Sequence, residues 1–245
     1  MTVVLKLGGS VITDKDAPET VDDDALAAAV EAVADADPDR LVLVHGGGSF
    51  GHVAAADRGI TSDAGSRDAA DVWAVHDAMR RLNDAVLRRL HDAAVAAGPA
   101  HPLSVAARRE HTGLSLPADS TAPLLAEGFV PVPHGDFVGY AGAGPAIVSG
   151  DELVTRLATG LDADRVGLCS TVPGVYDGDG EVIPRITAVE TVADALGGAD
   201  ATDVTGGMAA KVRALLDLDA PAHVFGPESL SAFLAGESAG TVIEG

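Results

Sequence analysis

The sequence predicts an α/β fold, a mainly parallel sheet with helices on both faces. Three observations predict it. Residues 2–7 and 41–44 are short runs too apolar to face solvent on either side. A helix-period stretch lies between them, so strand, helix and strand fit within the first 45 residues, a βαβ unit whose crossover sets its strands parallel. Each apolar run opens directly onto a cluster of glycines, as a buried strand does where it ends in a loop.

The remaining elements follow in order. Asp22, Asp23 and Asp24 supply an N-cap and first-turn carboxylates for a helix to about Asp35, which Pro38 and Asp39 end. Residues 64–97 read as helical throughout, with Val72, Trp73, His76, Met79, Leu82, Val86, Leu87 and Leu90 at three- and four-residue steps and a stop at Gly98-Pro99. Residues 102–105 read as a strand, and the polar stretch 108–120 as loop. Residues 129–140 read as a hairpin turning at His134-Gly135-Asp136. Residues 146–148 form a strand leading into Ser149-Gly150-Asp151-Glu152, where a helix starts and runs to about Leu161. Strands at 165–168, 222–225 and 241–243 complete the sheet, with a helix carrying Lys211 before the last two. Nothing marks a linker or a repeat, so residues 1–245 are expected to form a single domain.

Composition narrows the function classes. At 245 residues and 47% hydrophobic, the chain can bury a sizeable core. A lone cysteine, Cys169, excludes an internal disulfide framework and a cysteine-rich zinc site, and is expected to be a small buried strand residue. No apolar run approaches the roughly 18 residues of a membrane span, and the start lacks a signal-peptide pattern, so a soluble, cytoplasmic protein is expected. The net charge of −21 argues against nucleic-acid partners. Of 37 acidic residues 27 are Asp, and only three of the 16 basic residues are Lys, a balance suited to a salt-saturated, halophilic cytoplasm.

The three lysines flank glycine-rich stretches. Lys6 precedes Gly8-Gly9-Ser10, Lys15 follows it, and Lys211 follows Gly206-Gly207. On a surface otherwise stripped of lysine, that placement points to chemistry, since a compact ammonium suits a point contact to phosphate. Loops nearly free of side chains expose N–H groups to anions. Two of them, Gly8-Gly9-Ser10 and Gly46-Gly47-Gly48, after successive strands suggest two phosphate groups held face to face.

Taken in order, Lys6-Leu7-Gly8-Gly9-Ser10, His45-Gly46-Gly47-Gly48, Ser149-Gly150-Asp151, Gly174-Val175-Tyr176, and Thr205-Gly206-Gly207-Met208 with Lys211 resemble the amino acid kinase superfamily over nearly the whole chain. The continuation Ser49-Phe50-Gly51-His52, Lys15 after the first loop, and residues 203–208 resemble the archaeal-type isopentenyl phosphate kinases within it. The resemblance implies a three-layer αβα sandwich with about eight strands, residues 1–160 mainly on the acceptor-phosphate side and 161–245 mainly on the nucleotide side, and a homodimer. It implies transfer of a phosphoryl group from ATP, with Mg2+, to isopentenyl phosphate in isoprenoid biosynthesis by the alternative mevalonate route.

The residues carried over are these. Lys6, Gly8, Gly9, Ser10, Gly48, Gly207 and Lys211 would hold ATP, with Ser170, Gly174 and Tyr176 near the base and ribose. Gly47, Gly48, Gly150 and His52 would hold the acceptor phosphate. Lys6, Lys15, His52, Asp151 and Lys211 would be catalytic, Asp151 accepting from Lys6 and Lys211; helix N-capping is the plain alternative for Asp151. Independently of the resemblance, the helical apolar stripe reads mostly as core, with its Trp73–Met79 end, and Ile147 opposite, as a candidate wall for the tail pocket beside His52, Trp73 blocking long tails. No protein metal site is expected. Ser170-Thr171-Val172-Pro173-Gly174 lacks the two acidic residues usual in relatives, which leaves the choice of ATP over GTP open. A kinase of another small phosphate or phosphonate such as fosfomycin, and a non-catalytic nucleotide-binding protein, are the competing readings.

Salt supplies the first prediction. At about 1 M salt the Debye length is about 3 Å, so carboxylate self-repulsion is screened. Thermal melts and activity in stepped KCl are expected to show both weakening at low salt; full stability in dilute buffer contradicts the halophilic reading.

Overall fold

A computed structural model of the chain describes residues 1–111, 113–192 and 207–245. The first βαβ unit is as expected: β1 (Thr2–Leu7), a short α1 (Gly9–Ile12), α2 (Asp23–Ala36) and β2 (Arg40–His45), with β1 and β2 parallel in register from Thr2↔Arg40 to Leu7↔His45. Asp22 caps α2 by accepting from the Ala25 N–H at 3.0 Å. The second glycine cluster starts α3 (Gly48–Ala56), and α4 (Ala69–Asp92) follows.

Helix α4 is shorter than the apolar stripe suggested. It starts where the Asp68 carboxylate accepts from the Ala70 N–H, and past Asp92 the chain reverses at Ala94, whose φ is +61°. The strand expected at 102–105 lies earlier. Ala97–Ala100 forms β3, and Pro102–Val105 is a helical turn, α5, with Pro102 at its first position. Strand β3 sits at a sheet edge, where a proline such as Pro99 is tolerated. The expected loop 108–120 contains β4 (Ala107–Arg109) and β5 (Gly113–Ser115), an antiparallel pair.

The expected hairpin at 129–140 is also corrected. After α6 (Ala122–Ala126), β6 (Val130–Pro133) pairs parallel with β3. Across Gly135, β7 (Asp136–Tyr140) joins another sheet, antiparallel to β8 (Ala146–Val148) and parallel to β4. Pro131 and Pro133 lack N–H groups, and among the described residues the pairing of this segment with β2 is the parallel bridge His45↔His134 at its end. The chain continues through α7 (Gly150–Gly160), β9 (Arg165–Cys169), β10 (Arg185–Ile186), α8 (Gly207–Leu216), β11 (Ala222–Phe225), α9 (Leu230–Leu234) and β12 (Thr241–Ile243).

Among the described residues the main sheet has the order β10-β12-β11-β9-β1-β2, which β6-β3 extends through the His45–His134 bridge to the expected eight strands. Strands β1, β2, β3, β6, β9 and β11 run one way, and β10 and β12 the other. Two cores cover its faces. Leu5, Leu7, Leu41 and Leu43 pack with α2, α4 and α9 residues including Leu26, Leu82 and Phe233. Val4, Val42 and Val44 pack with α7 and α8 residues including Leu153 and Val212. The side-chain period of two therefore sets Lys6 on the α7 and α8 face and His45 on the α4 face. The parallel strands β1, β2 and β9 all deliver their C-terminal loops to one edge of the sheet, the usual position for a ligand in an open α/β sheet.

Candidate active site

The two glycine loops meet backbone to backbone at that edge. A Cβ on Gly9 would stand 2.0 Å from Gly48 N, and one on Gly46 2.6 Å from Gly9 N. Gly48 has φ +47°, and its Cβ would fall 2.1 Å from Thr13 Oγ1, so side chains are excluded by space and, there, by conformation. Thr13 stitches the loops together: its hydroxyl donates to Gly9 O at 2.9 Å and accepts from the Ser49 N–H at 3.0 Å. No periodicity or spacing marked Thr13 in the sequence.

The N–H groups divide into two sets. Those of Gly8 and Gly46 are spent on Cys169 O and Leu7 O, so Gly8 does not offer the donor expected of it. Among the described residues, those of Gly9, Ser10, Gly47, Gly48 and Gly150 have no partner. Helices α3 and α7 add their positive N-terminal ends. The capping box of α7 belongs to Ser149 and Glu152, which frees Asp151 from the capping alternative.

Asp151 instead gathers the cations. Lys6 Nζ donates to its Oδ1 at 2.7 Å, and Lys211 Nζ lies 3.7 Å from its Oδ2. Burial alone would push the Asp151 carboxyl up; Lys6 and then Lys211 outweigh it and hold the pKa below the ordinary carboxylate value. Gly150 is small for a reason, because a Cβ there would come within 3.1 Å of Lys6 Cε. Residues Asp203, Val204, Thr205 and Gly206, expected to lead into the Lys211 helix, lie outside the described residues.

His52 lies on the exposed side of α3 with its ring beside Gly47. Lys15 is exposed and makes no ion pair among the described residues. Its segment is pinned to the second loop where the Glu19 N–H donates to Ser49 O, and Arg81 grips Glu19 with bonds of 2.7 and 3.0 Å. Trp73 and Met79 part company. Met79 is buried beneath Gly47 and Gly51, where a Cβ would meet its Sδ at 3.3 and 2.6 Å, so it supports the loop. Trp73, 61% exposed, borders a cavity of about 320 Å³ with Val72, His76, Leu103 and Pro145. It lines that cavity while remaining largely exposed. Ile147 packs under that region among Val75 and Phe137.

On the nucleotide side, the Ser170 N–H is held by Phe225 O and Tyr176 is exposed. Gly174 is buried, and a Cβ there would strike Val182 and Thr241, which gives it a packing reason of its own. Cys169 is buried as expected, and burial, with Glu228 nearby, pushes its thiol up to about 12.

Residues 1–219 match the amino acid kinase family. The chain belongs to this family. It is 67% identical to the isopentenyl phosphate kinase of Haloferax volcanii over 99% of this chain and 98% of that protein. It is 35% identical to the isopentenyl phosphate kinase of Methanothermobacter thermautotrophicus over 87% of this chain and 85% of that one. Among solved structures, an isopentenyl phosphate kinase superposes with a TM-score of 0.85 at 26% identity, covering all of both chains. These likenesses place the chain with the isopentenyl phosphate kinases and match the fold class expected from its sequence.

Gly9→Ala is expected to cost about 1–3 kcal/mol of stability, as overpacking against backbone does, whereas Gly178→Ala, with open space around it, stays within about 0.5 kcal/mol; denaturant melts in molar KCl check both. Burial holds His45 and His134 neutral, His134 well below the ordinary histidine value of 6.5, and burial also lowers His223. The unfolded chain binds protons that these rings refuse, so their contribution is intact above about pH 6.5 and falls as pH drops below it. His76 opposes this, because its bond to Asp136 raises its pKa. Asp151, depressed, stays ionised throughout the window. The melting temperature is expected to fall between about pH 7.5 and 5.5; a flat or rising profile overturns the assignment.

Proposed function

We propose that the protein transfers the γ-phosphoryl group of ATP to isopentenyl phosphate, giving isopentenyl diphosphate and ADP. The observation that carries this is the shared Asp151 holding two ammonium groups where the glycine loops meet, in a chain 67% identical to an isopentenyl phosphate kinase over nearly its full length.

The chemistry asks little of a base. A phosphate monoester has a second pKa near 6, so its attacking oxygen is already anionic at neutral pH. What opposes reaction is repulsion between two polyanions, and catalysis is mostly positioning and charge neutralisation. Lys6, with the free N–H groups of Gly9 and Ser10, fits the β- and γ-phosphates. Lys211 balances the departing β-phosphate, and Lys15 faces charge on the group in transit. Gly47, Gly48 and Gly150 offer N–H groups to the acceptor, and His52 beside Gly47 donates to it. The isoprenoid tail runs toward the cavity at Trp73, which lies along α4 from the Met79 that underpins Gly47. Asp151 keeps both ammonium groups in place. Since it is committed to them, Mg2+ would be held by the nucleotide's phosphates and water, where it neutralises charge.

On this reading residues 1–160 serve mainly the acceptor and 161–245 mainly the nucleotide, with Ser170, Gly174 and Tyr176 near the base. The family supports a homodimer, which light scattering in molar KCl would test. Acidic composition supports a cytoplasmic site of action, and among the described residues no helix is long and apolar enough to cross a membrane.

The deciding experiment is ADP release in molar KCl with Mg-ATP, comparing isopentenyl phosphate, fosfomycin and short alkyl phosphates. Turnover is expected to be strongest with isopentenyl phosphate and to fall at least about 100-fold in His52→Ala and Asp151→Asn, the scale lost when a charged group or its positioning is removed. Turnover confined to another acceptor discards the isoprenoid assignment, and nucleotide binding without turnover on any acceptor discards the enzyme.

A further inference from the structure

Four of the chain's eight histidines form a column that the reaction above does not use. His45 stacks on His134 at 5.4 Å between centroids, His101 meets His134 edge-on at 5.2 Å, and His76 meets His101 at 6.1 Å. His45 and His134 are fully buried; His45 ends β2, His134 directly follows β6, and the two pair in a parallel bridge. Each precedes a glycine, and each ring offers Nδ1 to that glycine's carbonyl, His45 to Gly46 O at 3.1 Å and His134 to Gly135 O at 3.0 Å.

The protonation states follow from burial. A neutral ring donates once. With its Nδ1–H on Gly46 O, His45 has only an acceptor left at Nε2, which lies 3.0 Å from the Asn83 Oδ1 position. Turned end for end, that amide donates to His45, and Nδ2, otherwise partnerless and buried, is satisfied. His134 likewise accepts at Nε2 from His101 Nδ1, 2.9 Å away.

The consequence lies one peptide further on. In a trans peptide the C=O and the following N–H point in opposite directions. Tying down Gly46 O turns the Gly47 N–H the other way, and that N–H has no partner among the described residues. Three successive glycines have little intrinsic preference for this orientation. With the peptide reversed, a carbonyl oxygen would face an incoming phosphate.

We infer that His45 is a positioning residue for the acceptor phosphate: its bond to Gly46 O aims the Gly47 N–H at the acceptor, with Asn83 behind the ring and His134 beside it fixing its plane. This rests on Gly47 as an acceptor contact and deepens that reading.

The test compares His45→Asn, His45→Leu and Asn83→Leu in molar KCl, at a temperature where circular dichroism shows each folded. Asparagine keeps a nitrogen donor near the position of Nδ1, and leucine does not. His45→Leu is expected to lower kcat/KM for isopentenyl phosphate roughly 10–100-fold, the scale of one lost donor, with KM for ATP changed by less than about threefold. His45→Asn recovers most of that loss. Should His45→Leu not fold, Asn83→Leu carries the test: it frees the ring's far side and is expected to raise acceptor KM about threefold or more while leaving KM for ATP in place. Equal losses in His45→Asn and His45→Leu, parallel rises in both KM values, or an unchanged acceptor KM in Asn83→Leu overturns the inference. The underlying reading fails differently, since wild-type protein then turns over no isopentenyl phosphate or is indifferent to His52→Ala.

Discussion

Everything at the site depends on how closely two glycine loops approach. Gly9 and Gly48 leave no room for a methyl group between them, so the ends of β1 and β2 can be brought together edge to edge. The parallel register from Thr2↔Arg40 to Leu7↔His45 delivers both loops at the same height. Thr13 then holds them with one hydroxyl that donates to one loop and accepts from the other. Bringing two anions into bonding range needs two N–H cradles with nothing between them, and only backbone is thin enough to supply both.

The cations are set by the alternation of the strand. Lys6 shares a face of β1 with Val4, and that face is covered by α7 and α8. Asp151 at the start of α7 and Lys211 on α8 meet Lys6 there because the pleat points it that way. A half-buried lysine would be costly alone, and a half-buried carboxylate likewise. Together they leave an excess of one positive charge, carried by groups whose positions are fixed before a phosphate arrives. That is preorganisation: the positions of both ammonium groups are fixed by one carboxylate rather than by a ligand.

How much of this was legible in the sequence varied with the physical cause. Strand ends were legible because glycine clusters occur where side chains cannot fit, and the Asp22 cap and the 149–152 helix start because capping uses few residue types. Residues 97–105 were misread because apolarity alone does not separate a strand from a turn of helix. Gly98-Pro99 looks like a break, yet an edge strand needs few N–H groups, and Pro102 starts a helix as readily as it ends a strand. The 129–140 hairpin was misread because its two strands belong to different sheets, a long-range fact with no local mark. Met79 and Trp73 sit on one apolar stripe, but α4 turns one toward the glycine loop and the other to the cavity rim. Thr13 and the histidine column were invisible for the same reason, as each gains its meaning only from strands that are distant in sequence.

The acidic surface and the cationic site work at different ranges. A net charge of −21 would repel a nucleotide and a phosphate from far away in dilute solution. At about 1 M salt that field dies within about 3 Å, so polyanions can approach. The contact between Lys6 and Asp151, at 2.7 Å and partly buried, lies inside that range and keeps its strength. Salt therefore removes the long-range obstacle and leaves the short-range machinery intact. Scarcity of lysine fits the same division, since the three that remain stand at or beside the glycine loops or on the helix facing them, while the exterior is left to aspartate and arginine.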